Sequence, residues 1–164
     1  MFCKPRTRPV WDITEARWID HGPNPRFAIF HPGTGAGINQ DVVLDKETRL
    51  VWQRVPDTAK KSWDAAIVYS HTTAVAGRKG WRLPAIEELL SLVDPTRTNP
   101  TLPLGHPFSV QVDDFYWSST LGSFQVPKFA WGYNFGNADT SNTDKTTNRY
   151  GWLVRGGYGH DYPY

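Results

Sequence analysis

The sequence predicts an α+β fold in which two amphipathic helices pack on a small twisted antiparallel sheet with long loops. Three observations support this class. The chain has 8 Trp, 7 Tyr and 8 Phe, and large rings fill a core with few residues. Its 14 Gly and 13 Pro mark many turns. Long Val/Ile runs and a Gly-rich phosphate loop, both typical of doubly wound α/β proteins, are absent from the sequence.

Length and charge restrict the function classes. The 164 residues fit one domain, which we expect over residues 40–164, with 1–39 as an N-terminal extension that packs on or flanks it. The formal charge of +2 does not indicate a nucleic-acid partner. No apolar run is long enough to span a membrane, and the first residues lack the pattern of a signal peptide. The single cysteine, Cys3, excludes an intramolecular disulfide.

Strand patterns predict the sheet. A short helix or strand is expected within residues 11–19, a strand at 26–30, and a hairpin with strands at 42–44 and 49–54. Three further strands are expected at 115–119, 128–135 and 149–155. The middle one is the clearest, because its large aromatic residues alternate with small ones. Residues 136–148 have no apolar periodicity and are expected to form a loop.

The first predicted helix runs from Trp63 to about residue 75. Ser62 is the candidate N-cap, and Gly77 is placed to stop the helix. We expect one face of this helix to be buried, and it consists of Trp63, Ala66, Ile67, Ser70 and Ala74.

The second predicted helix starts at Ile86 and ends before Asp94-Pro95. Its expected buried face has the i, i+3, i+4, i+7 spacing: Ile86, Leu89, Leu90 and Val93. Just before it, we expect Trp81 to anchor the core and Arg82 to pair with a carboxylate such as Glu88 or Asp94.

Several motifs occur in a specific order: Trp81-Arg82-Leu83-Pro84, then Tyr116-Trp117-Ser118-Ser119, then Ala130-Trp131, and finally Val154-Arg155-Gly156-Gly157. In this order the sequence resembles the DUF1566 family, the C-terminal domain of the Legionella collagen-like adhesin, over residues 40–157. The resemblance implies a C-type-lectin-like fold and a bacterial or phage-borne module that binds rather than catalyses. It also implies a cell-surface or secreted location.

The sequence departs from the family in two places. Many members have cysteines at the positions of Ser70 and Leu153. A disulfide bond between the first helix and the last strand is therefore missing here. Ala85 stands where the family commonly has Thr or Ser. One half of a capping box is therefore absent, although Glu88 is in place for the other half.

The candidate ligand-binding residues lie after residue 117 and in the C-terminal tail. Tyr, Asn, Asp and Gly are typical of adaptable binding surfaces, and in lectin-like proteins diversified by retroelements they form the variable face. For the tail, a frayed terminus is the alternative. The candidates are Asn134, Asn137, Asp139, Asn142, Asp144, Arg149, Tyr158, His160, Asp161 and Tyr162.

Two alternatives concern the aromatic and acidic residues. Trp117, Trp131 and Trp152 could stack on sugars, but their strand positions favour the core. Asp139, Asn142 and Asp144 offer oxygen ligands for calcium, but their spacing is not that of an EF-hand, and a solvated loop is favoured. We therefore expect no cofactor.

No catalytic residue is predicted. The five His are scattered and no nucleophile elbow occurs. A Ser–His–Asp triad assembles in space, so the sequence leaves that alternative open. The sequence therefore favours a non-enzymatic module that recognises a glycan or a protein surface. The alternative is a structural or oligomerisation domain, and the oligomeric state stays open.

Overall fold

The structure, a computed structural model, describes residues 17–19 (backbone only), 24–32, 38–122 and 128–156. Within these residues it has two helices and two antiparallel sheets, which confirms the α+β class. The elements in chain order are β1 (Arg17–Ile19), β2 (Phe27–His31), a 3-10 turn (Ile38–Gln40), β3 (Val42–Asp45), β4 (Leu50–Gln53), α1 (Trp63–Thr72), α2 (Ile86–Ser91), β5 (Tyr116–Leu121), β6 (Phe129–Asn134), β7 (Asp139–Asp144) and β8 (Val154–Gly156).

The strands are divided between a five-stranded sheet, β1-β2-β3-β4-β8, and a three-stranded sheet, β5-β6-β7.

The predicted hairpin is confirmed as β3–β4, and its turn is organised by the buried Asp45. Arg26 donates to both Asp45 carboxylate oxygens, at 2.9 and 2.6 Å, and Thr48 donates to one of them. Burial alone would raise the pKa of Asp45, but these hydrogen bonds outweigh it and lower the pKa.

Aromatic residues join the two sheets. Trp152 is fully buried, and its ring centroid lies 5.1 Å from Trp52 on β4 and 5.5 Å from Tyr116 on β5. Its indole N–H donates to the carbonyl of Gln53 at 2.9 Å, so that the buried donor is satisfied. Trp117 is also fully buried. The expected core positions of these two tryptophans are confirmed, whereas Trp131 is half-buried.

A second core cluster lies against α1 and contains Trp81 and Leu153. Trp81 is buried, as predicted, and donates its indole N–H to the carbonyl of Arg78. Ser70 and Leu153, which stand where many family members have cysteines, are both fully buried. Ser70 donates its hydroxyl to the carbonyl of Ile67, so its polar group is satisfied within α1.

Helix α1 begins as predicted and ends early. The Ser62 hydroxyl accepts from the N–H of Ala65, which confirms the N-cap. The helix ends at Thr72, because Thr73 is extended, so the prediction of a helix to about residue 75 was wrong. Ala74 is exposed and outside the helix, and Gly77 lies in the turn that follows. Thr72 and Thr73 are β-branched residues with low helix propensity, which explains the early end.

Helix α2 begins at Ile86 as predicted and spans only six residues. Leu89 and Leu92 are fully buried, whereas Leu90 is 42% exposed, so the prediction that Leu90 faces the sheet was wrong. A helix of fewer than two turns presents a narrow stripe to the sheet, and Leu90 lies at the edge of that stripe.

The start of α2 is stabilised by residues from elsewhere in the chain. The Glu88 carboxylate accepts from the N–H of Ala85 at 2.8 Å, which is the expected half of the capping box. Glu88 also forms the predicted ion pair with Arg82, at 2.6 and 2.7 Å. Ala85 has no side-chain acceptor, but the hydroxyl of Thr120 on β5 accepts from the N–H of Ile86 at 3.0 Å. A tertiary contact therefore supplies a partner for an N–H of the first turn.

The C-terminal strands differ in part from the prediction. Strands β5 and β6 are confirmed, but residues 136–148 are not all loop, because they contain β7. Both β7 faces are largely polar, which is why apolar periodicity could not reveal this strand. The predicted strand at 149–155 is reduced to β8, while Arg149 and Tyr150 form isolated bridges with Lys61 and Tyr116. In the described part of the chain, neither helix is long and apolar enough to cross a bilayer.

We expect Thr120→Val to lower the free energy of unfolding by about 1 kcal/mol, because it removes the acceptor for the Ile86 N–H while keeping the side-chain shape. Thr120→Ser keeps the hydroxyl and serves as the matched control. Urea denaturation measures both variants. Equal stability of the valine and serine variants would contradict the proposed capping role.

We also expect stability to fall between pH 7.5 and pH 5 because of His106. Burial and the positive charge of Arg97 lower the pKa of His106, and its buried Nδ1 has no partner among the described residues. The unfolded chain therefore takes up the proton first, so the stabilisation is complete above the unfolded pKa of about 6.5 and is lost as pH falls through the folded pKa. In urea titrations at both pH values, His106→Gln should lose less stability than the unsubstituted chain. An equal loss would count against this origin.

Candidate functional site

Six of the ten predicted ligand residues lie on or beside the β6–β7 hairpin and the segment that follows it. The other four, Tyr158, His160, Asp161 and Tyr162, lie outside the described residues. Asn134 is buried, and its side-chain oxygen accepts from the N–H of Gly136 in the hairpin turn. Asn137 is exposed in the same turn and accepts from the N–H of Asp139. These two asparagines therefore shape the turn.

Strand alternation sorts the remaining candidates onto two faces. β7 pairs with β6 in continuous register, so directly opposed residues share a face. One face carries Trp131, Asn142, Phe129 and Asp144, and we call it the Trp131 face. The other carries Gly132, Ser141, Thr143 and Asp139, with the Arg149 guanidinium above it, and we call it the Arg149 face.

The Trp131 face combines an aromatic ring with an unengaged amide. Trp131 is half-buried, belongs to neither core cluster, and its indole N–H has no hydrogen-bond partner among the described residues. Asn142 lies directly opposite Trp131 and is exposed. Its amide lies over Gly122, where a methyl group would come within 1.9 Å of the Asn142 Oδ1. Gly122 therefore makes the space that the Asn142 amide occupies.

Asp144 borders the Trp131 face. One of its carboxylate oxygens accepts from the backbone N–H and the hydroxyl of Thr146, and these bonds lower the pKa of Asp144. The other oxygen lies 3.8 Å from the Lys128 ammonium. Lys128 in turn lies 5.0 Å from the centroid of the Phe129 ring. The Asp144 carboxylate is therefore ionised, and hydrogen bonds to Thr146 hold it in place.

The Arg149 side chain packs against the Arg149 face of the β6–β7 hairpin. Arg149 is only 7% exposed, and its guanidinium carbon lies 4.1 Å from the ring centroid of Phe115 and 5.4 Å from that of Trp117. Nη2 donates to the hydroxyl of Thr143 at 2.6 Å, whereas Nε and Nη1 are buried without a partner among the described residues. Burial lowers the pKa of Arg149. The side chain thus attaches β7 to the segment before β8, beneath the surface.

The three candidate calcium ligands do not converge in the structure. Asp139 lies on the Arg149 face, whereas Asn142 and Asp144 lie on the Trp131 face, because residues an odd number of positions apart in a strand point to opposite sides. Within the described ranges, no group of three or more His, Cys, Asp or Glu side chains is placed to hold a metal ion.

One histidine–carboxylate pair occurs at the β2–β3 junction. His31 Nδ1 lies 2.6 Å from one Asp41 oxygen, and Arg54 donates to the other oxygen at 2.7 Å. Asp41 is buried, and both of its carboxylate oxygens are occupied by these partners. The three residues connect β2, β3 and the end of β4, which is a structural role.

Sequence reasoning did not predict the pairing of Trp131 with Asn142. It placed Asn142 in a loop because residues 136–148 have no apolar period. The available signal was a run of six polar residues without Gly or Pro after the Asn137-Ala138 turn, next to a clear strand. Two β-branched threonines in this run, Thr140 and Thr143, favour extended backbone.

A comparison with protein families decides the classification. The Lcl C-terminal domain family matches residues 41–155, well over half of the chain. The chain belongs to this family. The resemblance to the C-terminal domain of the Legionella collagen-like adhesin is therefore confirmed. No curated protein matches the chain. The match to the Lcl C-terminal domain begins after β2, so that β1 and β2 extend the five-stranded sheet from outside the matched segment.

We expect Arg149→Met to leave the free energy of unfolding unchanged or to raise it by about 1 kcal/mol, because methionine fills the space between the rings and removes a buried, incompletely bonded charge. The hydroxyls of Ser141 and Thr143 stay bonded to each other, at 2.8 Å. Arg149→Ala should lower it by about 2–3 kcal/mol through lost packing. Chemical denaturation compares the two variants. If Met is as destabilising as Ala, the guanidinium makes a net favourable interaction.

Proposed function

We propose that the chain is a non-enzymatic ligand-binding module of a bacterial or phage protein that recognises a glycan or a protein surface. The observation that carries this proposal is the half-buried Trp131 ring beside the exposed Asn142 amide on one face of β6–β7. Five other described tryptophans lie in or against the two apolar clusters, whereas Trp131 lies in neither. Its N–H has no hydrogen-bond partner among the described residues, so it can donate to a ligand that stacks on the ring.

The chemistry of this face suits a ligand that has both apolar and hydroxyl or amide groups. An aromatic ring stacks on the apolar face of a sugar or on an aliphatic side chain. The Asn142 amide has two donors and one acceptor to offer, and the Asp144 carboxylate adds acceptors at the border. An amide and a carboxylate beside a ring form direct hydrogen bonds with a ligand that the ring orients.

Membership of the Lcl C-terminal domain family supports binding over catalysis. The His31–Asp41 pair supports the same reading, because Arg54 occupies the carboxylate oxygen that His31 leaves free. We assign the chain a cell-surface or secreted location on the basis of the family. Tyr158, His160, Asp161 and Tyr162 stay in the proposed ligand set because of their residue types. The most specific version of this proposal is a binding module whose ligand-contacting residues are diversified by retroelements.

The alternative is a structural or oligomerisation domain. Strand β7 forms an edge of the three-stranded sheet, and sheet edges can pair with another chain. Molecular mass in solution distinguishes the two functions. A stable oligomer that covers the Trp131 face favours assembly, whereas a monomer with this face open favours ligand capture.

We expect the double substitution Trp131→Ala and Asn142→Ala to weaken ligand binding by at least about tenfold, because stacking and an amide hydrogen bond each contribute about 1 kcal/mol. Ligands are first identified with the unsubstituted chain on a glycan array and in host-cell extracts. Affinities are then measured for each variant by titration calorimetry.

Two further variants sharpen this experiment. Gly122→Ala leaves Asn142 chemically intact but displaces its amide, so it should weaken binding as well. Val68→Ser alters an exposed apolar residue of α1, 62% exposed, and should leave affinity unchanged. If the double variant keeps full affinity while its thermal unfolding is normal, the ligand does not bind the Trp131 face.

A further inference from the structure

The outer edge of β7 offers unpaired backbone groups in a regular, extended arrangement. Among the residues that the structure describes, strand β7 pairs with β6 alone, and the register is continuous over six residues. The strand contains no proline and no lysine, and no bulge interrupts its pairing. These are among the devices that commonly protect a sheet edge from a further strand.

The direction of the backbone groups follows from two hydrogen bonds. The N–H of Lys145 donates to the carbonyl of Lys128, and the N–H of Gly122 donates to that of Phe129. In an antiparallel ladder the N–H and C=O of one residue point to the same side, and successive residues alternate. The N–H and C=O groups of Thr140 and Asn142 therefore point away from β6, and no partner for them lies among the described residues.

Charge indicates what this edge pairs with. Asp139 and Asp144 stand at the two ends of the strand. Asp139 has no ion-pair partner in the described part of the chain, and Asp144 has only Lys128 at 3.8 Å. In an antiparallel pairing, residues directly opposite each other point their backbone groups either both toward or both away from each other. The registers that join the outward groups of Thr140 and Asn142 to those of a second copy therefore place no basic residue opposite Asp144. A segment with a basic residue at each end complements both aspartates.

We propose that the outer edge of β7 accepts an extended segment of a partner polypeptide as a fourth, antiparallel strand, with a lysine or arginine opposite each of Asp139 and Asp144. Affinity would come from the backbone groups of Thr140 and Asn142, and selectivity from the two carboxylates. The proposal goes beyond ligand capture on the Trp131 face, because it uses the main chain of β7 and not the Trp131 ring.

The test uses the full chain labelled with ¹⁵N and an eight-residue synthetic peptide. The peptide has two lysines five positions apart, to match Asp139 and Asp144, and threonine or valine elsewhere. A second peptide has glutamates in place of the lysines. We expect the lysine peptide to shift the amide signals of Thr140 and Asn142, to slow their hydrogen exchange, and to bind about tenfold tighter than the glutamate peptide.

Substitutions in β7 separate the backbone edge from side-chain effects. Thr140→Pro removes an outward N–H without touching the β6 ladder and should weaken lysine-peptide binding by about tenfold. Thr140→Ala keeps the N–H and should change the affinity by less than about twofold. Trp131→Ala, which tests ligand capture, should leave peptide affinity unchanged, so the two proposals can fail separately.

Four results would overturn the proposal. They are equal affinity for the two peptides, no binding of the lysine peptide at millimolar concentration, signal changes confined to residues outside β7, and unchanged affinity in Thr140→Pro. If the Thr140 and Asn142 amides instead become protected as protein concentration rises without peptide, the edge pairs with a second copy of this chain.

Discussion

The contact of Trp152 with both sheets is the interaction on which the rest of the structure depends. Its ring packs between Trp52 of the five-stranded sheet and Tyr116 of the three-stranded sheet. This buried ring therefore contacts both sheets at once, and its N–H donates to the carbonyl of Gln53. Because β6 and β7 extend from β5, this contact also sets the position of the Trp131 face.

Short sequence patterns predicted those features that depend on residues close together in the chain. The Ser62 cap, the β3–β4 hairpin and the Arg82–Glu88 pair all depend on residues a few positions apart, and the structure confirms each. The end of α1 and the exposure of Leu90 depend on how the helices meet the sheets. The hydroxyl that replaces the missing cap at Ala85 comes from Thr120, which lies 34 positions along the chain from Ile86. Contacts of this range leave no periodic pattern in a sequence.

In the candidate site, too, some features depend on residue type alone and others on contacts between distant parts of the chain. Residue type alone pointed to the β6–β7 region, but it could not assign faces, because the register between the strands was unknown. The register places Asn142 beside Trp131 and moves Asp139 to the other side. On that side, Arg149, a surface candidate by sequence, lies buried between Phe115 and Trp117. The sequence contains the residues of the site, while pairing between strands decides which of them act together.

Strand β7 contributes no side chain to either apolar core cluster. It is held by backbone pairing with β6, by the Arg149 bond to Thr143 and by the fit of Asn142 over Gly122. Backbone pairing tolerates most residue types, so the outward side chains of this strand are largely released from packing constraints. Natural selection can therefore change what this surface recognises at little cost to folding. Recognition and stability evolve separately in such a scaffold, and new specificities can accumulate without compensating changes in the core.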